Sequence, residues 1–412
     1  MCQFLGAVFA TLGIYRAIPL VHGSQGCVNY VKHLLTQHFR EPVDIATTGF
    51  HEMSAIHGGI DNLTRAIENV AHRKQPDLIA VITTCLSETI GENIYAALKK
   101  INEIEAVAIN TPSYVGAHVI GYDNAIKSIV AALGRQGERT DKINIITGIV
   151  NPGDVREIKH ICREMGVDYT LLTDITSLDR PLRLPKEKFP KCETSVDDIR
   201  NTPNSKATIS FGIEGISGAE YLTNFGVESY NLRFPIGIRN TESFIATLSE
   251  ISGESIPDSI WDARDYVIDA MVDANSVLRN KKVAIFGDPD KVIALTDFAF
   301  EMGLRVTAVL TPLKTRHFVP EIERIADEND AKIAVFEDAD LYQLHKFIRS
   351  NPVDLLIGDY RGRYIANEEG IPLLRVGFPV ADRYGYHRKP MLGFGGALRI
   401  VDDVTNLLVE GR

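Results

Sequence analysis

Leu78-Ile-Ala-Val-Ile-Thr-Thr-Cys85 is the stretch from which the fold can be read. It is a short apolar run rich in β-branched residues, which suits a strand buried on both faces, and it ends on two threonines and a cysteine. Parallel α/β sheets are built from such strands and place their ligands at the strands' carboxyl tips. The same alternation repeats on either side. Residues 79–83 and 107–110 read as strands, and 60–72 and 88–100 as helices; Asp61 followed by Leu63, Ile67 and Val70 gives a polar cap and then apolar residues at helical spacing. A second unit opens with a strand at 143–150, turns at Pro152-Gly153, and continues as a helix over 154–165 and a strand over 167–172. The polar, proline-rich stretch 185–204 reads as a loop or linker, after which 207–213 resumes the sheet. A long helical pattern at 260–278 leads into a third unit with strands at 283–286, 305–310, 332–336, 355–358 and 373–376. The expected fold is therefore α/β, with three doubly wound domains of parallel sheet flanked by helices at 1–140, 141–258 and 259–412.

Composition bounds the function. A chain of 412 residues exceeds what one hydrophobic core normally supports. A net charge of −10 argues against a nucleic-acid surface. The longest apolar stretch, 4–21, contains Arg16, Pro19, Gly6 and Gly13 and has no basic leader, so it reads as packed core and not as a signal peptide or membrane span. Five cysteines, an odd number, fit a reducing cytoplasm better than a disulfide framework.

Three of those cysteines lie where apolar sequence meets a glycine-rich or polar turn: Cys2-Gln-Phe-Leu-Gly-Ala7, His22-Gly-Ser-Gln-Gly-Cys27-Val-Asn-Tyr30 and the run ending at Cys85. Three soft thiolates without a CxxC pair suit an iron–sulfur cluster better than a structural zinc, and a further ligand has to come from elsewhere, such as another subunit. The competing reading of each is a small buried hydrophobe, and it suffices for Cys162, on a helical pattern, and Cys192, in a polar linker. His22 and His38 read as residues that fix loops by hydrogen bonding. Val283-Ala-Ile-Phe-Gly-Asp-Pro-Asp290 is a strand and glycine turn that lacks both GxGxxG and GxxxxGK[ST]. No Ser-His-Asp set and no acid–base pair of carboxylates stands out, so the chain is equipped for redox and not for hydrolysis.

Taken in order, these segments resemble the β subunit of nitrogenase component 1. The resemblance is carried by the three cysteine motifs, His38-Phe-Arg-Glu-Pro42, Thr83-Thr-Cys-Leu-Ser-Glu88-Thr-Ile-Gly91 and Thr111-Pro-Ser-Tyr-Val-Gly116, and continues through Asn151-Pro-Gly-Asp154, Pro235-Ile-Gly-Ile-Arg-Asn-Thr241, Gly287-Asp-Pro-Asp290 and Arg375-Val-Gly-Phe-Pro379. It implies that Cys2, Cys27 and Cys85 are the β-side thiolates of a P-cluster, an [8Fe-7S] centre shared with a homologous α subunit. Ser113 matches a serine that joins the oxidised cluster, and Tyr30 a tyrosine near it. Electrons would come from an ATP-dependent iron protein and pass to a metallocofactor in the α subunit, where the catalytic residues lie. Asp269 and Asp273, one helical turn apart, match half of a β–β site for Ca²⁺ or another divalent cation, and Glu41 with the Arg40 carbonyl match the other half. An α2β2 heterotetramer follows from that match.

Two departures bear on the enzyme type. Cys2 stands almost at the first residue, which is closer to the vanadium, iron-only and nitrogenase-like types than to molybdenum chains with long leading segments. His57, in Ser54-Ala-Ile-His-Gly-Gly59, stands where a phenylalanine is common at the iron-protein docking surface. The alternatives are a nitrogenase-like reductase such as a methylthio-alkane reductase, which cleaves C–S bonds, a cofactor-assembly scaffold, or a non-catalytic interaction subunit without a cluster.

Overall fold

The computed structural model describes residues 1–99, 101, 104–179, 188–212 and 216–411. Its elements begin with helix α1 (Gln3–Leu12), strand β1 (Ala17–His22), α2 (Gln25–Phe39), β2 (Ala46–Thr47), α3 (Glu52–His57), α4 (Ile60–Lys74), β3 (Leu78–Thr83), α5 (Cys85–Thr89), α6 (Ile94–Leu98), β4 (Ala106–Ile109) and α7 (His118–Leu133). There follow β5 (Ile143–Ile146), α8 (Pro152–Glu164), β6 (Tyr169–Leu171), α9 (Val196–Asn201), β7 (Ala207–Phe211), α10 (Ser217–Thr223), β8 (Glu228–Leu232), α11 (Gly237–Ser252) and α12 (Asp258–Leu278). The last are β9 (Lys282–Phe286), α13 (Pro289–Glu301), β10 (Arg305–Thr311), α14 (Phe318–Glu328), β11 (Ala334–Glu337), α15 (Leu341–Ser350), β12 (Leu355–Gly358), α16 (Arg363–Glu369), β13 (Leu373–Arg375) and α17 (Gly393–Glu410).

The strands form three sheets with the orders β2-β1-β3-β4, β6-β5-β7-β8 and β11-β10-β9-β12-β13. Pairing is parallel between β1 and both β2 and β3, between β3 and β4, between β5 and both β6 and β7, and throughout the five-stranded sheet. By its contacts the chain divides into two compact units, the first drawn chiefly from Met1–Pro152 and Asp168–Ser210, the second from Gly153–Val167 and Leu232–Arg412.

Most expected elements are present, and the differences have local causes. The helix expected over 88–100 is two short ones, α5 and α6, separated at Gly91-Glu92-Asn93, where Asn93 caps α6 by accepting from Ala96 N; Lys100 lies outside the described residues. The strand expected over 143–150 stops at Ile146. The linker expected over 185–204 contains α9, which starts at a capping box between Ser195 and Asp198; residues 185–187 lie outside the described residues, as does Ile213 at the end of the expected strand 207–213.

In the first unit β1 and β3 are buried along their whole length. One face of the sheet packs Leu20, Ile79, Val81 and Ala108 against Leu63 and Ile67 of α4 and Ile94 and Ala97 of α6. Each fully buried aliphatic side chain of this kind contributes roughly 1.5–3 kcal/mol. α1 is buried from Gln3 to Thr11, and its apolar character all round is what a fully enclosed helix requires. It meets α7 backbone to backbone. A Cβ at Gly6 would lie 1.8 Å from the His118 carbonyl oxygen, and one at Gly121 would lie 1.8 Å from that of Gln3. Two glycines thus hold the amino end of α1, and with it Cys2, against the start of α7.

In the second unit α12 buries Ile260, Val267, Ala274 and Leu278 along one stripe. Its opposite face leaves Asp262, Asp265, Asp269 and Asp273 exposed, with Tyr266 and Val272 among them.

Candidate metal centre

The order β2-β1-β3-β4 reverses between β1 and β3, because the chain leaves β1 toward β2 and leaves β3 toward β4. A crevice at the carboxyl edge of such a sheet is where doubly wound folds bind ligands. Cys27 follows β1, in the first turn of α2, and Cys85 follows β3 as the first residue of α5. The two cysteines therefore stand on the two sides of this crevice. Thr84 joins the sides: its Oγ1 donates to the His22 carbonyl (3.2 Å), and its N donates to Ser87 Oγ in the first turn of α5 (2.9 Å). Ser24 Oγ donates to Cys27 Sγ at 3.4 Å.

Ser113 and Cys2 come to the same edge by other routes. Beyond β4, Thr111 is tied to β3 by N to Thr83 Oγ1 (2.7 Å) and Oγ1 to the Thr83 carbonyl (2.6 Å). The chain then reaches Ser113, whose Oγ accepts from Gln3 N (3.0 Å), while Gln3 Nε2 donates to the Pro112 carbonyl (3.1 Å). Cys2 forms an antiparallel bridge with Ala117, and His118 N donates to the Met1 carbonyl (3.0 Å). Gln3 is a residue that sequence reasoning passed over. The available signal was a polar side chain at the start of an otherwise apolar helix.

Cys2 and Cys85 are exposed and Cys27 is half-buried, whereas Cys162 is buried and its thiol pushed up to about 12 by that burial. Cys192 donates to the Gly13 carbonyl at 3.6 Å. The three edge thiols do not all come within 4.8 Å of one another; among the described residues only His345, Glu368 and Glu369 do, and there Arg349 pairs with both glutamates. A single ion is therefore poorly served by these cysteines. Soft sulfur donors spaced along an open edge, beside the amino ends of α1 and α2 where negative charge is favoured, fit a polynuclear iron–sulfur group.

Several large side chains on the segments that carry the thiols are exposed. Tyr30, one turn beyond Cys27, is 52% exposed, and Tyr95, Tyr114 and Val115 are exposed as well. His57 closes α3 and is exposed beside Met53 and Ile56, the latter 73% exposed. Arg40 ends α2 in the left-handed region (φ 61°), and Glu41 is exposed. Asp269 and Asp273 are exposed one turn apart on α12.

A family model for nitrogenase component 1 type oxidoreductases matches residues 2–409. The chain belongs to this family. It is 44% identical to the nitrogenase molybdenum-iron protein beta chain of Methanococcus maripaludis, over 99% of this chain and 93% of that one. It is 37% identical to the nitrogenase vanadium-iron protein beta chain of Trichormus variabilis, over 99% and 92%. A solved structure of nitrogenase Cp1 at pH 6.5 superposes with a TM-score of 0.96 at 39% identity, covering 99% of this chain and 92% of that one. The chain is thus a β subunit of a nitrogenase component 1-type oxidoreductase, a family whose members contain metal–sulfur clusters. Molybdenum-iron, vanadium-iron and iron-iron beta chains are all among the relatives, at 44%, 37% and 36% identity, so these comparisons do not single out the vanadium or iron-only type.

A buried ionisable pair joins the end of β1 to the segment between α5 and α6. His22 Nε2 is 2.6 Å from Glu92 Oε2, both side chains are buried, and His22 Nδ1 has no hydrogen-bond partner among the described residues. Burial lowers the His22 pKa from its ordinary 6.5, although Glu92 opposes the shift. The folded protein therefore holds the neutral ring, and the unfolded chain takes up the extra proton below pH 6.5. Stability is expected to be retained above that pH and to fall as pH drops below it, by about 1.4 kcal/mol per pH unit while only the unfolded chain is protonated. Denaturant midpoints measured at neutral and mildly acid pH should fall more steeply for the native sequence than for His22→Gln; parallel profiles would refute the assignment.

Proposed function

We propose that this chain is the electron-relay β subunit of a nitrogenase component 1-type reductase and holds one side of an [8Fe-7S] P-cluster through Cys2, Cys27 and Cys85. The observation that supports this most directly is the placement of Cys27 and Cys85 on either side of the β1–β3 crevice, with Cys2 and Ser113 brought to the same edge by Gln3. Exposure of the sulfurs supports completion of the ligand set by a homologous α subunit, which would also cover Tyr30, Tyr114 and Val115. When bound, the cluster supplies one-electron storage and relay between an ATP-dependent iron protein and the metallocofactor of the α subunit.

The roles of this chain's own residues follow from chemistry. The thiolates bind iron; Ser113 offers a hydroxyl whose deprotonated oxygen, harder than sulfur, favours oxidised iron. The Gln3 amide, donating to Ser113 Oγ, sets where that oxygen points. His57, with Met53 and Ile56, would meet the iron protein. ATP hydrolysis belongs to that partner, in keeping with the lack of a GxxxxGK[ST] motif in this chain. We place the complex in the cytoplasm; among the described residues no helix is long and apolar enough to cross a membrane. Each of the three sheets would mark one domain, at 1–140, 141–258 and 259–412. Arg40, through its carbonyl, and Glu41 of one copy would meet Asp269 and Asp273 of a second copy around a Ca²⁺ or similar ion, at the centre of an α2β2 heterotetramer.

In the anaerobically purified complex, Cys27→Ala or Cys85→Ala should abolish the electron paramagnetic resonance signal of the oxidised P-cluster, whereas Ser113→Ala should leave the reduced cluster intact and shift the midpoint of its oxidation. Normal spectra and an unchanged redox titration in all three would refute the ligand set. The Asp269→Asn, Asp273→Asn double variant should lose bound divalent ion and sediment as αβ halves with its cluster spectrum retained; an unchanged tetramer with unchanged metal content would rule out the cation site.

A further inference from the structure

The end of α3, which bears His57, and the starts of α2 and α5, which bear Cys27 and Cys85, are joined by two buried side chains, Glu92 and Phe50. We propose that these two residues form a strut through which contact at His57 sets the position of the cysteine-bearing helix starts, making them positioning residues for electron entry. The proposal rests on the function proposed above.

The strut starts where α3 ends. Gly58 adopts φ +93°, a conformation that favours glycine, and turns the chain into α4. The next residue is gripped twice. Gly59 N donates to Glu92 Oε1, and a Cβ at Gly59 would lie 2.2 Å from Cε1 and Cζ of Phe50, so the ring is pressed on the glycine backbone. The same two side chains then grip His22. Glu92 Oε2 lies 2.6 Å from His22 Nε2, and the Phe50 ring meets the imidazole edge-on, with centroids 4.7 Å apart and planes at 81°.

From His22 the connection reaches both cysteines. Phe50 N donates to the Gly23 carbonyl (2.9 Å), and Ser24 pairs with Phe50 as a parallel bridge, three residues before Cys27. The His22 carbonyl accepts from Thr84 Oγ1, and a Cβ at Gly23 would lie 2.3 Å from the same oxygen, so Thr84, which precedes Cys85, cannot shift independently of Gly23. Every member of this path is packed: His22 is fully buried, Phe50 is 6% exposed and the Glu92 side chain is 6% exposed. Close-packed interiors transmit displacement, and hydrogen bonds in low dielectric hold their geometry. A buried carboxylate has to be hydrogen-bonded, and both Glu92 oxygens are, one to Gly59 N and one to His22 Nε2, which fixes the two partners relative to each other.

The test uses the complete α–β complex with its iron protein. Glu92→Ala removes both grips of the carboxylate, Glu92→Gln retains an acceptor for Gly59 N and a polar partner for His22, and Phe50→Leu removes the ring edge. Iron content and iron-protein affinity should stay near the native values in Glu92→Ala, while electron transfer from the iron protein slows by about tenfold or more, reduction by a small chemical reductant keeps its rate, and the oxidised cluster's paramagnetic resonance line shape changes. Glu92→Gln should restore the native rate. Because the two sites act through one path, His57→Ala combined with Glu92→Ala should slow transfer no further than the slower single variant. Native transfer rates in Glu92→Ala, or additive losses in the double variant, would overturn the strut. If Glu92→Ala does not assemble, Phe50→Leu decides by the same readouts. A native complex without a cluster would instead overturn the functional reading, and this proposal with it.

Discussion

The pairing of β1 with β3 is the constraint on which the rest depends. Six residues of one lie against six of the other in parallel, from Ala17 opposite Leu78 to His22 opposite Thr83, and both strands are buried throughout. A slip of one residue would turn every side chain to the opposite face and carry Cys27 and Cys85 out of register with each other. Because the strand order reverses at this pair, their two following loops diverge and leave a crevice instead of a covered surface. The cysteines take their places from that geometry. Gln3, Thr84 and Thr111 then stitch the neighbouring segments to it with hydrogen bonds.

Much of this was legible in the sequence, because burial on both faces leaves a plain mark: 78–83 is an uninterrupted apolar and β-branched run, and the same pattern recovers 107–110, 283–286 and 355–358 to within a residue. The three site cysteines could be separated from Cys162 by their setting beside turns. What could not be read was anything depending on contacts distant in sequence. Gln3 touches Ser113 across 110 positions and Glu92 meets His22 across 70, and neither pair has a local spacing that announces it. His22 was legible as a residue that fixes a loop but not as the end of a buried pair. The break between α5 and α6 was missed for a different reason. The apolar spacing of Ile90, Ile94, Ala97 and Leu98 is helical across Gly91, but Gly91 takes φ +72° just past the end of α5, and Asn93 caps α6 afresh.

The same architecture explains why the chain reads as part of a larger assembly. In the first unit β1 and β3 are fully buried and α1 is enclosed, yet the carboxyl edge of that sheet leaves two of the three candidate thiols and four large side chains, Tyr30, Tyr95, Tyr114 and Val115, in solvent. Exposed aromatics on the segments that carry the proposed ligands are what an interface requires before its partner arrives. Cys162 differs from the edge cysteines in the same sense: it is shielded, and burial pushes its thiol up, whereas Cys2 and Cys85 are exposed.

Anomalous diffraction at the iron edge from crystals of the anaerobically purified α–β complex tests the central claim most directly. If the three thiols hold the cluster, a compact group of iron peaks will lie within bonding distance of the sulfurs of Cys2, Cys27 and Cys85 of this chain, completed by ligands from the α subunit. Iron confined to the α subunit, with these three thiols unligated, would contradict it.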